Sequence, residues 1–320
     1  MTLFIPKTKA GRAGVWPALC AALVVSACAP KVKAPARPPT PDEIAQLWVA
    51  PPANRDLFRG PGDHDPPAQT EKFKVVTFDA SGNSVGYEII DASGREWKAK
   101  LGVEVQPEIV ASRLLWAIGF HQPPMSYVGN LQLEGGRPED SGQPARFRAE
   151  FGYKSDGDWS WHDNPFVGTR QLNGLLVANL ILNNWDLKAT QNRIYISKGS
   201  GDGVARQYVV QDLGAALGRT GWPVGNRNDI DGFERQNLIK RVNHGVVEFD
   251  YEARHTELFK GIAPGDVVWV CQLFARLTDA QWNDAFRAAN YTPELTQRFI
   301  AKLKAKVQEG LALDASAARR

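Results

Sequence analysis

The sequence predicts an α+β fold in two lobes: a small antiparallel β-lobe with one helix, and a larger, mainly helical lobe. Three observations predict it. Residues 74–101 hold three short strand-like runs divided by turn residues, residues 105–118 carry apolar side chains at helical spacing, and the chain from residue 171 onward is rich in apolar helical runs. With 320 residues, 43% of them hydrophobic, the chain is long enough for two lobes around a shared cleft.

The strand candidates are 74–78, 85–90 and 95–101, separated by Ala80-Ser81-Gly82-Asn83 and Asp91-Ala92-Ser93-Gly94. In the third, Trp97, Ala99 and Leu101 share one face, while Lys98 and Lys100 share the other. The helix expected over 105–118 ends at Gly119, and Glu108 sits in its first turn behind Pro107. Gln122-Pro123-Pro124 breaks the chain before a strand over 126–132, a Gly/Pro-rich loop over 134–144 and a strand-like run over 146–153. Residues 151–165 have a surface-loop composition with Trp159, Trp161 and His162, which either face a cleft or pack. Residues 171–182 form an apolar helix leading into Asn183-Asn184-Trp185-Asp186-Leu187-Lys188-Ala189-Thr190-Gln191-Asn192. Two strand-like runs follow, 193–196 and 207–211, joined by a tip at 199–203 and ending in the turn Asp212-Leu213-Gly214. Residues 215–223 are glycine-rich, and residues 224–262 show no clear periodicity. Thr278-Asp279 caps a helix through Asn290, Thr292-Pro293 starts another, and residues 311–320 are expected to fray.

The N-terminus has a different character. Lys7, Lys9 and Arg12 precede an apolar run from 15 to 27, too short to span a bilayer, that ends Val25-Ser26-Ala27-Cys28. This ending resembles a bacterial lipobox, which implies cleavage, lipidation of Cys28 and a membrane anchor facing the periplasm. Ala29 after the cysteine favours the outer membrane in a Gram-negative cell. Without those three cations the chain has 35 basic against 35 acidic residues, so nucleic-acid binding has no electrostatic support. Cys271 would be left as the sole cysteine of the folded part, reading as a packing residue and not a nucleophile. The expected divisions are a signal over 1–28, a Pro-rich tether over 29–68 holding ten of the 21 prolines, a β-lobe over 69–135 and a helical lobe over 136–320. Within the tether, residues 44–49 and 56–58 are apolar enough to dock on the domain.

Asp186-Leu187-Lys188 resembles the Asp-Leu-Lys of a kinase catalytic loop, and Asp212-Leu213-Gly214 resembles its Asp-Phe-Gly. The resemblance is to the protein-kinase-like superfamily and covers roughly residues 70–220. Asn-Asn-Trp replaces the usual His-Arg, so the closer likeness is to atypical members such as spore-coat, HipA-type and secretory-pathway kinases. A set of uncharacterised bacterial lipoproteins shares the Asn-Asn-Trp-Asp-Leu-Lys wording. The resemblance implies a nucleotide such as ATP with Mg²⁺ or Mn²⁺ as cofactors, and a protein or small-molecule acceptor. It assigns Asp186 to orienting the acceptor hydroxyl and Lys188 to neutralising the transferred group. Lys100 would hold the phosphates, with Lys98 as rival, and Glu108 would pair with that lysine, with Glu104 as rival. Asp212 would hold metal. In the family the amide ligand lies five residues after the catalytic Asp, a position filled here by Gln191; Asn192, one further, is the expected ligand, with Gln191 as the alternative. A catalytically inactive kinase-fold scaffold of the envelope is the alternative function.

Other signals fall away on context. Gly82-Asn83-Ser84-Val85-Gly86 matches a nucleophile elbow but precedes a strand, where the elbow needs a helix. None of the five histidines has a local zinc-ligand spacing, and the sequence has no Gly-Lys-Ser/Thr P-loop.

Overall fold

The computed structural model describes residues 31–62, 66–69, 71–80, 82, 84–150, 152–197, 205–221 and 225–317, and Lys31–Arg320 forms one unit. The expected signal with Cys28 and the hairpin tip over 199–203 lie outside the described residues. Among the described residues no helix is long and apolar enough to cross a membrane.

The expected α+β class is found. The β-lobe is built on β1 (Lys72–Asp79), β2 (Gly86–Ile90) and β3 (Glu96–Leu101), an antiparallel meander as the turn residues predict. Helix α2 (Val105–Ala117) follows, then β4 (Met125–Val128), β5 (Gln132–Glu134) and β6 (Ala145–Ala149). The six strands lie in the order β4-β6-β3-β2-β1-β5, with only the β1–β5 pair parallel. The run expected as one strand over 126–132 is therefore two, split at Gly129-Asn130. Strand β6 inserts between β3 and β4, so the sheet continues past residue 135. Trp97, Phe73 and Phe147 pack its core face.

The described part of the Pro-rich segment docks on the domain. Helix α1 (Pro41–Ala45) starts in a capping box between Thr40 and Glu43. Beyond it Leu47 and Leu57 are fully buried, and the Trp48 indole donates to the Ile118 carbonyl at 2.8 Å. Phe58, expected to dock, is 49% exposed and instead lies under the Arg287 guanidinium.

The second lobe holds a three-stranded antiparallel sheet of β7 (Tyr153–Asp158), β8 (Asn192–Ser197) and β9 (Arg206–Val210), whose Ile194, Tyr208 and Val210 join one buried core with the helices. Helix α3 (Arg170–Ile181) starts on the Thr169 hydroxyl cap and is buried along most of its length. Helix α4 (Ile230–Glu234) and the hairpin of β10 (Ile239–Asn243) and β11 (Val246–Phe249) fill the stretch that lacked periodicity. The hairpin's signal was the loop His244-Gly245, where both residues take positive φ, as a primed two-residue turn requires. Helices α5 (Pro264–Ala275), α6 (Asp279–Arg287) and α7 (Pro293–Ala317) complete the core, with α7 running well into the tail expected to fray. At the α5–α7 contact a Cβ on Gly310 would lie 2.2 Å from Cys271 Sγ, so only glycine permits this approach. Cys271 is fully buried, and burial pushes its thiol up to about 12. Trp159 and Trp161 pack against each other in the core and do not line the cleft described below.

Candidate active site

The hairpin β8–β9 creates the site by register. Asn192 pairs with Val210, so the end of the 183–191 loop and the start of the 212–214 turn emerge side by side. The Gln211 N–H donates to the Gln191 carbonyl at 2.9 Å, extending the ladder by one step. Asp186 and Asp212 thereby line one cleft of about 830 Å³ with Lys98, Lys100, Arg146 and Arg148 from the β-lobe.

The asparagines and tryptophan before Asp186 fix the loop. Asn183 takes φ +52°, and its amide donates to the Gly218 carbonyl at 2.7 Å and to Gln236 Oε1 at 3.0 Å. Asn184 is tied back to the end of α3 through both its backbone N–H and its side chain, each bonding Asn179 at 2.8 Å. The Trp185 indole donates to the Asn226 carbonyl at 3.0 Å and lies under the Arg227 guanidinium. Tyr251 donates its hydroxyl to the Trp185 carbonyl at 3.2 Å, and burial, then the Asp186 charge, raise its pKa.

Lys100 stands at the centre. Its Nζ lies 2.9 Å from Asp212 Oδ1, 3.0 Å from Glu108 Oε2 and 3.3 Å from Glu104 Oε2. Burial alone would lower its pKa; Glu108 first, then Asp212, hold it above the usual lysine value. Lys98, the rival, reaches Glu88 and Glu150 among the described residues, at 3.5 and 3.6 Å. Both expected glutamates are therefore present, in different roles. Glu108, fully buried, sits between Lys100 and Arg146, whose Nη2 is 3.1 Å from Oε1. These are ion contacts and not aligned hydrogen bonds, since neither Glu108 oxygen meets hydrogen-bond geometry. Glu104 bridges Lys100 to Arg227 at 2.8 Å.

Burial alone would also raise Asp212; Lys100 outweighs it and holds the carboxyl below its usual range. Gly214 lets α2 approach this turn, because a Cβ there would lie 2.6 Å from Glu104 Cβ. On the opposite wall Asp186 Oδ2 accepts from Lys188 Nζ at 2.8 Å and from the Gln191 amide at 2.9 Å. Gln191 thus faces the cleft. Asn192 is fully buried and does not line the cleft, and among the described residues neither of its amide atoms has a hydrogen-bond partner.

Arg146 and Arg148 were not singled out from the sequence. On β6 they lie directly opposite Lys100 and Lys98, putting four cations on one face. Like charges across a ladder repel, so this face is expensive unless anions meet it. The alternation Arg146-Phe147-Arg148 in a strand-like run was the available signal.

Behind the loop, Lys306 Nζ is fully buried against Asn183 Oδ1 and the Phe233 ring. Burial, then Lys302, depress its pKa to about 7 from 10.5. Between those values the unfolded chain binds the proton and the folded one does not, so this group makes stability rise with pH across that window. Urea midpoints from pH 7 to 9.5 should rise more steeply for the wild type than for Lys306→Met. Equal slopes would show that the lysine keeps its proton in the folded chain.

No protein-family model matches the chain, and no curated protein matches it. Among solved structures the chain is similar to the Helicobacter pylori proinflammatory kinase CtkA, at 11% identity and a TM-score of 0.44, over 78% of this chain and 97% of that one. It is also similar to the MAP kinase LmaMPK10 from Leishmania major, at 12% identity and a TM-score of 0.20, over 74% and 94% of the two chains. Similarities this weak leave the chemistry to rest on the cleft itself.

Proposed function

We propose that the chain is a kinase-like phosphotransferase of the atypical kind, using a nucleotide with Mg²⁺ or Mn²⁺. The observation that carries this reading is the ion set Lys100–Glu108–Asp212 in the same cleft as Asp186. The cationic face of β3 and β6 suits a polyphosphate, and Lys100 is poised to exchange its Asp212 contact for phosphate oxygens. Asp186 would take the proton of an acceptor hydroxyl, and Lys188, already at its side, would offset charge on the transferred group. A bound divalent ion would bridge the phosphates to Asp212, with Gln191 or Asn192 as the amide ligand.

The test is calorimetric titration of ATP with Mn²⁺ into the purified chain, wild type beside Asp212→Ala. Saturable binding by the wild type that disappears in the variant is the expected result. A folded wild type that binds no nucleotide sinks the reading. The lipobox sequence supports a periplasm-facing lipid anchor at Cys28 that makes the membrane a partner; Cys28→Ala should then move the chain from the membrane to the soluble fraction, and an unchanged distribution refutes the anchor.

One observation favours the alternative, an inactive kinase-fold scaffold of the envelope. Gln191 donates its amide N–H to Asp186, its amide oxygen, the atom a metal would use, accepts from the Lys188 N–H at 3.3 Å, and Asn192 lies off the cleft, so neither expected amide stands ready to hold a metal with Asp212. Nucleotide binding with no transfer to any acceptor would favour that role.

A further inference from the structure

Two of the five histidines, far apart in sequence, meet a carboxylate on the far-lobe surface. His162 Nε2 lies 2.9 Å and His255 Nδ1 3.1 Å from the same oxygen, Glu257 Oε1. The two rings stand edge to face at 5.4 Å, and the three donor atoms all lie within 4.8 Å of one another. Among the described residues no other set of three His, Cys, Asp or Glu donors converges in this way. The side chains are 12, 28 and 20% exposed, sheltered enough to favour coordination and open enough to admit an ion.

The donors sit on braced segments. His162 follows the buried Trp161, in a loop that the Asn164 amide holds by donating to the Ser160 carbonyl at 2.9 Å and accepting from the Phe166 N–H at 2.9 Å. The His162 carbonyl accepts from the Lys33 N–H at 2.7 Å, where the N-terminal segment meets the domain. His255 caps the 3-10 helix Thr256–Phe259, which is anchored by the buried Leu258 and Phe259. Each ring already aims the nitrogen it would use.

We propose that His162, His255 and Glu257 form a zinc site, separate from the cleft. Two imidazoles and one carboxylate are borderline donors, which prefer Zn²⁺ to the Mg²⁺ or Mn²⁺ expected at Asp212. With metal–ligand bonds of about 2.0–2.1 Å, tetrahedral donors sit roughly 3.4 Å apart, so the rings need to shift by little more than an ångström. Three protein ligands leave the fourth position to water. The ion would clip the 159–169 loop to the 250–259 segment, and the latter carries Tyr251, which holds the Trp185 carbonyl beside Asp186. In a chain whose described part has one cysteine and no disulfide, a metal clip supplies the long-range tie that a disulfide would otherwise give.

The experiment strips the purified chain with a chelator, adds Zn²⁺, removes excess by gel filtration and counts bound metal. The variants are His162→Gln and His255→Asn, which keep a polar donor for Glu257, the asparagine also tolerating the positive φ of position 255. Asp212→Ala serves as the control for the cleft. The wild type and Asp212→Ala should each retain a single zinc and melt at a higher temperature with it, while the two histidine variants retain none. In the wild type and in Asp212→Ala alike, zinc should also protect His162 and His255 from diethylpyrocarbonate. Zinc retained equally by both histidine variants, or lost only in Asp212→Ala, overturns the site. So does modification of both histidines at an unchanged rate in zinc.

Discussion

Replacing Glu108 with alanine is expected to cost about 3–5 kcal/mol of folding stability, the scale for breaking a buried ion pair from one side. Glu108 is fully buried between Lys100 and Arg146, so its loss leaves two cations facing each other across the β3–β6 ladder. Arg146 is buried as well, and burial already depresses its pKa against the pull of Glu108. By contrast Asp212→Ala removes a carboxylate from the cleft edge and leaves Lys100 paired with Glu104 and Glu108. That variant should lose the proposed nucleotide binding with a stability change of under about 1 kcal/mol, as expected for an exposed-side pair. Urea unfolding of both measures the contrast. A loss below about 1 kcal/mol for Glu108→Ala would mean that the neighbouring carboxylates re-pair the cations, and that the cluster is an adaptable anion site instead of a fixed brace.

The second large effect concerns chemistry and rests on the proposed transfer reaction. Asp186→Asn should lower the turnover rate by about 10²–10⁴-fold, the range for removing a general base, with nucleotide affinity little changed. The asparagine preserves shape and can still accept from Gln191 and Lys188, so the loop should keep its position. Label transfer from γ-labelled ATP to the protein or to water reads the rate whatever the acceptor is. Undiminished transfer by the variant would move the base role away from Asp186.

Much of the frame was legible because local patterns and tertiary structure agree. The meander follows from strand runs divided by Asp/Ser/Gly/Asn turns, and α2 and α3 from apolar runs at helical spacing. The expected site residues Lys100, Glu108, Asp186, Lys188 and Asp212 follow from the family resemblance and from the order and context of its motifs, and all five lie at one cleft or its buried edge. The amide position was harder. One residue of strand pairing decides whether Gln191 or Asn192 faces the cleft, and alternation sends neighbours to opposite sides. The β10–β11 hairpin was missed because its strands are short and half exposed, which weakens the alternation.

The sequence by itself determined the class of the fold, the order of its elements and the chemical types offered to the cleft, because these depend on composition, turn chemistry and periodicity within short windows. Only the tertiary structure decided which partners those groups meet. The cationic face needs β6 to insert beside β3, the Lys100–Glu108 contact needs α2 to carry Glu108 beneath that strand, and the His162–His255–Glu257 cluster needs two distant loops to touch. Each is a long-range contact fixed by packing of the whole core, and no local spacing in the chain records it.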